Sequence, residues 1–263
     1  MRVNSGGFWL PEIALLLIGI MSLPAQADVT YRSGTFVFHV PLELGPVKDK
    51  VGRIIRGGLG QDFQRWVEGP CYRMASSSGE SDRLNPIPLF QMFKKRADVD
   101  VQQCTSPGAP GITYILTDGG LDAATELEVS RLRATTDPGA VTIMHTVTFD
   151  GACSWFSVSR RSDEVMTEGS ILVDVERDQA SRNACLYSPT VHLLGLSDEE
   201  YDDFTDEGAL KAPGHAEEIS LELDLLALFV VTHADALAPD EASDRTAQIN
   251  RVLTLMYIEG GNR

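Results

Sequence analysis

"SPTVHLLGLSD", Ser188 to Asp198, decides how the chain around it is read. Serine is a favoured helix cap and proline is welcome at the first helical position, so Ser188-Pro189 predicts a helix start. Val191, Leu194 and Leu196 follow at core-facing spacing, and Gly195 predicts the stop. The stretch therefore reads as a short capped helix. Upstream, "SILVDVE" (Ser170 to Glu176) is a predicted strand. Further upstream, "AVTIMHTVTF" (Ala140 to Phe149) and "CSWFSVS" (Cys153 to Ser159) form a predicted hairpin across "DGA". Leu121 to Leu132 is predicted helical, "VDVQQC" and "ITYILTD" are predicted strands, and "LFQMFKK" is a predicted short helix. "TFVFHV" (Thr35 to Val40) is another strand, and Val47, Val51, Ile54, Ile55 and Leu59 recur at helical spacing. Downstream, an acidic loop leads to helices over Glu217 to His233 and Asp240 to Tyr257. Strands dominate the first two thirds and helices the last, which predicts an α+β fold.

The same stretch has the spacing of a zinc-protease helix, H-E-x-x-H-x-x-G-x-x-D. That pattern sets two histidines one turn apart on one face, beside a glutamate that activates the metal-bound water. Here Ser188 and Pro189 stand at the first histidine and the glutamate. His192, Gly195 and Asp198 keep the second histidine, the turn and the third ligand. A catalytic zinc normally takes three protein ligands and an open position. With only His192 and Asp198 as candidate ligands and no general base, no catalytic residue is assigned and no cofactor is expected. Ser188, His192, Gly195 and Asp198 remain as a remnant motif expected to line a groove.

The segment from Gly151 to Glu200 resembles an exported proteobacterial family of unknown function, the DUF2927-like proteins. Cys153, the strand Ile171 to Val175, Cys185, Leu194, Gly195, Leu196 and Asp198 fall on its pattern. "RWVEGP" (Arg65 to Pro70) and "LELDLLALFVVTHADALAP", with Asp224 and Pro239, are similar to its other conserved-looking stretches. The resemblance spans roughly Phe63 to Pro239. It implies a degenerate zincin-like domain: a mixed sheet, a short motif helix and C-terminal helices. This chain departs further, since the family's paired glutamates are Ser188 and Pro189, its glutamine is His192, and a Gly-Met pair is Asp240-Glu241.

The ends and composition set the compartment. Arg2, the eleven-residue apolar run Ile13 to Leu23, and "PAQA" with Ala25 and Ala27 predict a signal peptide over residues 1–27. The remainder, 28–263, is expected to be a single globular domain, periplasmic or secreted, without stable membrane insertion after cleavage. The chain carries 22 Lys+Arg against 38 Asp+Glu, a net charge of −16. Such a surface repels nucleic acid, so the expected partner is an unidentified protein or peptide. Cys71, Cys104, Cys153 and Cys185 lack metal-ribbon spacing, and in an exported chain they suggest disulfides. Three pairings are possible, and order along the chain favours Cys71–Cys104 with Cys153–Cys185.

Other candidates carry less. His39 and His145 fall in predicted strands. "SDEEYDDFTDEG" is rich in oxygen donors but lacks calcium-loop order. "RGGLGQ" matches no phosphate-binding fingerprint, and Ser76, Ser77 and Ser78 lack a nucleophile elbow. The expected role is a catalytically inactive zincin-like binding protein. The alternative is a metal-dependent hydrolase, a metzincin-like protease with a non-standard site.

Overall fold

The computed structural model describes residues 29–40, 44–56, 65–66, 69–76, 84–148, 153–162, 165–196, 215–238 and 245–258. Along them run β1 (Val29–Ser33), β2 (Phe36–Val40), α1 (Leu44–Arg56), β3 (Arg65–Trp66), β4 (Cys71–Ser76), α2 (Ile87–Ala97), β5 (Gly111–Thr117) and α3 (Leu121–Thr135). Then come β6 (Val141–Thr148), β7 (Cys153–Arg160), β8 (Val165–Asp174), α4 (Gln179–Leu193), α5 (His215–Leu237), α6 (Arg245–Met256) and β9 (Tyr257–Ile258). The fold is α+β.

The larger sheet has six strands. Five run in the order β4-β5-β8-β7-β6, and β3 pairs with the start of β8. β3, β4, β5 and β8 are parallel, whereas β7 and β6 add an antiparallel hairpin. The smaller sheet is β2-β1-β9. Side chains alternate across a strand, so each central strand presents two different sets of residues. Ile112, Tyr114 and Leu116 of β5, Ile171 and Val173 of β8, and Trp155 of β7 join the main core. That core continues through α4 and α5 to α1 and the smaller sheet. The intervening residues Leu172, Phe156 and Val158 pack instead under α3, against Leu121 and Leu132, in a small separate cluster.

The apolar stretch of α5, Leu223 to Val230, is buried on nearly all sides, as expected of a helix that is hydrophobic all round. No helix among the described residues is long and apolar enough to cross a membrane. Both expected disulfides are formed: Cys71–Cys104 with Cα atoms 4.9 Å apart, and Cys153–Cys185 at 5.7 Å. Residues 1–28, and so the signal peptide, lie outside the described residues, as do Asp198, Pro239, the acidic segment 197–208, "RGGLGQ" beyond Arg56, and Ser77 and Ser78.

Two expectations are corrected. "VDVQQC" is not a strand: only Gln103 makes a bridge, to Tyr72, while Tyr72 N–H donates to Gln102 O and Cys104 N–H to Tyr72 O, both at 2.8 Å. The disulfide to Cys71 holds this segment along the outer edge of β4, covering backbone groups that would otherwise stand open. The motif helix is not short either. It is the last part of α4, fifteen residues long, whose cap is Asp178, accepting from Ser181 N–H at 2.9 Å. Ser188 is therefore no cap, and Pro189 lies inside the helix, buried.

Candidate functional site

Pro189 removes the N–H that would bond Cys185 O, a loss that ordinarily kinks or ends a helix. Tertiary ties hold the last turn in place instead. Cys185 is bonded to Cys153 of β7. Thr190 Oγ1 donates to Leu186 O at 2.5 Å and accepts from Tyr114 OH at 2.7 Å. The indole N–H of Trp66 donates to Leu193 O at 2.6 Å, which gives the "RW" stretch a structural role. Leu193 seats directly on Gly169 of β8, where an added Cβ would come within 2.8 Å of its Cδ1.

The end of the motif is a helix stop. Gly195 N–H bonds His192 O at 2.8 Å, Leu196 N–H bonds Val191 O at 3.1 Å, and Gly195 has φ of 101°. This is the six-to-one and five-to-two pairing of a Schellman ending, which favours glycine at that position. Val191, Leu194 and Leu196 are all buried, as the apolar spacing predicts.

His192 is 8% exposed. Its Nδ1–H donates to Leu196 O at 2.7 Å, and its ring stacks on Trp155 at 5.2 Å between centroids and 8° between planes. One turn earlier on the same face stands Ser188, half-buried, and beside it Pro189, which has no donor atom to offer. Among the described residues the motif thus offers a hydroxyl, a proline and one imidazole, short of the three protein ligands that a catalytic zinc takes. Both thiol pairs are tied up as disulfides, and among the described residues no three His, Cys, Asp or Glu are grouped to hold a metal ion. The structure brings together Ser188, His192 and Gly195 from the expected set. Gly195 ends the helix and His192 stacks on Trp155, and neither of the two cavities below is lined by α4.

Asp224 has a comparable role. It is 1% exposed within α5 and accepts from Tyr187 OH of α4 at 2.7 Å. His39 lies 3.4 Å from Thr30 Oγ1 on the small sheet. His145 Nε2 lies 2.6 Å from Ser154 Oγ, and its ring stacks on Phe156. Ser154 is fully buried, so this His–Ser pair presents no accessible nucleophile.

The opposite face of the sheet holds what the sequence reading missed. α3 covers β7 and β8, but beyond it, among the described residues, no helix covers the face over β4 and β5. There lies a cavity of about 400 Å³, floored by Arg73, Thr113 and Ile115, with Glu128 and Arg131 of α3 on one wall and the turn Pro107–Ala109 on the other. Arg73, Thr113 and Ser170 sit in one row across three strands. Glu128 is 5% exposed. It accepts from Arg131 Nε and Nη2, both at 2.7 Å, and from Ser170 Oγ at 2.5 Å. Burial works to raise its pKa, but these hydrogen bonds outweigh burial and hold it below the ordinary range. Arg131 also pairs with Glu168. Arg73 donates through Nη2 to Ala109 O at 2.5 Å, and its Nη1 lies 3.5 Å from Thr113 Oγ1. A second cavity, about 530 Å³, runs along α2 between Tyr72, Phe90 and Lys94, whose ammonium already pairs with Asp98 and Asp100.

Two signals for the open cleft were present in the sequence. One is an arginine in the middle of strand "CYRMAS"; the other is Glu128 three residues before Arg131, at helical spacing. The predicted strand began at Ser170, however, so Glu168 was not placed on the same sheet.

No family model, no curated protein and no solved structure matches the chain.

Proposed function

We propose that this chain is an exported, disulfide-stabilised domain that acts by binding, and that its zincin-like motif serves as a helix ending and not as a catalytic centre. The observation that carries this reading is the contrast between the sheet's faces. On the motif face the described residues pack into the core, with the His192 ring held between Trp155 and Leu196 O. The α3 face is open over β4 and β5 and gathers Arg73, Glu128, Arg131 and Glu168 around one cleft. A concave site with a few converging polar groups is the usual form of a ligand site.

Two disulfides and the absence of free cysteine among the described residues support an oxidising compartment, periplasmic or secreted. The motif helix directly follows a central strand of a mixed sheet, which supports the zincin-like ancestry that the resemblance implies.

Zinc content tests the reading. Protein purified from the export compartment without added metal should hold no stoichiometric zinc, and His192→Ala should leave its metal content unchanged. One zinc per chain, lost on both His192→Ala and Asp198→Ala, would restore the hydrolase alternative. Intact mass of the same sample should start at Asp28; a chain retaining Met1 would remove the export argument.

A further inference from the structure

The open cleft holds two charge centres that differ in compensation. At one end Arg131 sits between Glu128 and Glu168, so two carboxylates share one guanidinium. At the other end Arg73 is held by Ala109 O, Thr113 Oγ1 and a 3.3 Å contact to Cys104 Sγ. Among the described residues no carboxylate lies within ion-pair distance of it, and its Nε is buried without an acceptor. The chain carries a net charge of −16, so a part-buried guanidinium without an ion-pair partner marks a local cationic spot in an otherwise acidic protein. The cleft is therefore dipolar: cationic over β4 and anionic beside α3.

That arrangement narrows the ligand. A dianion such as phosphate would be repelled by Glu128 and Glu168, and a polyamine by Arg73. A ligand with one charge of each sign satisfies both ends. Glu168 stands two strands away from Arg73 and two residues out of its row, about 12 Å between Cα atoms before the side chains converge. An α-amino acid is short for that span, whereas a dipeptide or tripeptide reaches it. A volume of about 400 Å³ admits a molecule of that size, and Thr113 and Thr167 offer hydroxyls to its amide groups.

We propose that the cleft binds a short zwitterionic peptide, with its carboxylate on the Nη side of Arg73 and its ammonium at Glu168. The proposal rests on the reading of this cleft as the binding surface. Besides its contact to Thr113 Oγ1, Nη1 has a second hydrogen, which a terminal carboxylate accepts in a charge-assisted bond.

The test is titration of the whole mature protein with alanyl-alanine, followed by amide NMR. Expected shifts cluster at Arg73, Thr113 and Glu168. N-acetyl-alanyl-alanine and alanyl-alanine amide should each bind roughly tenfold more weakly or worse, because each removes one charged contact. Arg73→Gln should weaken alanyl-alanine similarly while leaving the α4 signals in place. Should Arg73→Gln fail to fold, the two capped peptides on the native protein still decide. Equal affinity of the three peptides, shifts remote from the cleft, or no shifts at millimolar peptide would each overturn the proposal. Peptide signals report hydrolysis in the same tube. Release of free alanine would overturn the non-catalytic reading as well, whereas intact, unbound peptide would overturn only the ligand assignment.

Discussion

The two faces of the six-stranded sheet treat polar groups in opposite ways. On the α4 face the polar side chains are few and each joins two elements: Thr190 to Tyr114, Tyr187 to Asp224, Trp66 to the end of α4. These contacts lie inside a continuous core. On the α3 face the apolar cluster is small, and the polar groups converge on open space instead. The described part of a motif that resembles an active site thus packs into the core, while the cleft carries no recognisable motif. Residue type at a spacing states what chemistry is available; cover by a neighbouring element decides whether it is reachable.

The largest effects that separate the faces should come from the disulfides. Each closes a loop of similar length, with sequence separations of 33 and 32, so loss of either should cost about 3–4 kcal/mol on the chain-entropy estimate. Cys71→Ala/Cys104→Ala and Cys153→Ala/Cys185→Ala should therefore fall by similar amounts in urea denaturation. Their local consequences should differ. Only the first pair borders the cleft, through the Arg73 contact to Cys104 and the turn that carries Ala109. Amide signals of Arg73 and Thr113 should move in the first variant and stay in the second. Movement in both would mean that the faces are mechanically coupled and the comparison is too sharp.

A smaller effect is expected at His192. His192→Leu leaves Leu196 O without its donor in a buried setting, a loss of about 1–3 kcal/mol. His192→Gln can present an amide donor to the same carbonyl and should be nearly neutral. Denaturation of the two variants checks this. A costly glutamine and a harmless leucine would show that ring stacking on Trp155, not the hydrogen bond, holds the motif.

Most of the fold was legible because it is written in local periodicity. The strands at Gly111–Thr117 and Cys153–Arg160, the helix at Leu121–Thr135 and the glycine stop at Gly195 all follow from spacing and turn chemistry. What failed depended on distant partners. Ser188-Pro189 has the local chemistry of a helix start, yet the helix runs through it because a disulfide, Tyr114 and Trp66 hold the turn from outside. "VDVQQC" has the alternation of a strand but serves as an edge cover pinned by Cys104. The cleft was invisible for a related reason. Arg73, Glu128 and Glu168 lie on three separate elements, and only the register of β4, β5 and β8 brings them to one face.

The smallest expected effect is a pH dependence on the α3 face, where two titrating groups act in separate windows, beside the acid-side contributions of Asp178, held low by Ser181, and Asp98, held low by Lys94. Glu128 has a lowered pKa, so its contribution to stability is complete above the ordinary glutamate range and is lost as pH falls through the lowered folded value. His145 has a pKa lowered by burial, so the folded state favours the neutral ring. Its contribution is complete above about pH 6.5, the ordinary histidine value, and fades as pH falls through the lower folded value. Both groups therefore destabilise the fold on acidification, His145 first and Glu128 later. The histidine step should be the weaker, because His145 is largely exposed while Glu128 is buried. Urea midpoints measured from pH 8 to pH 3 should show a shallow decline near neutrality and a steeper one in acid. His145→Gln should flatten the first limb, and Glu128→Gln the second. If His145→Gln removed the acid limb instead, the two groups would be titrating as one unit, through the Ser154 and Ser170 rows that lie between them on the same face.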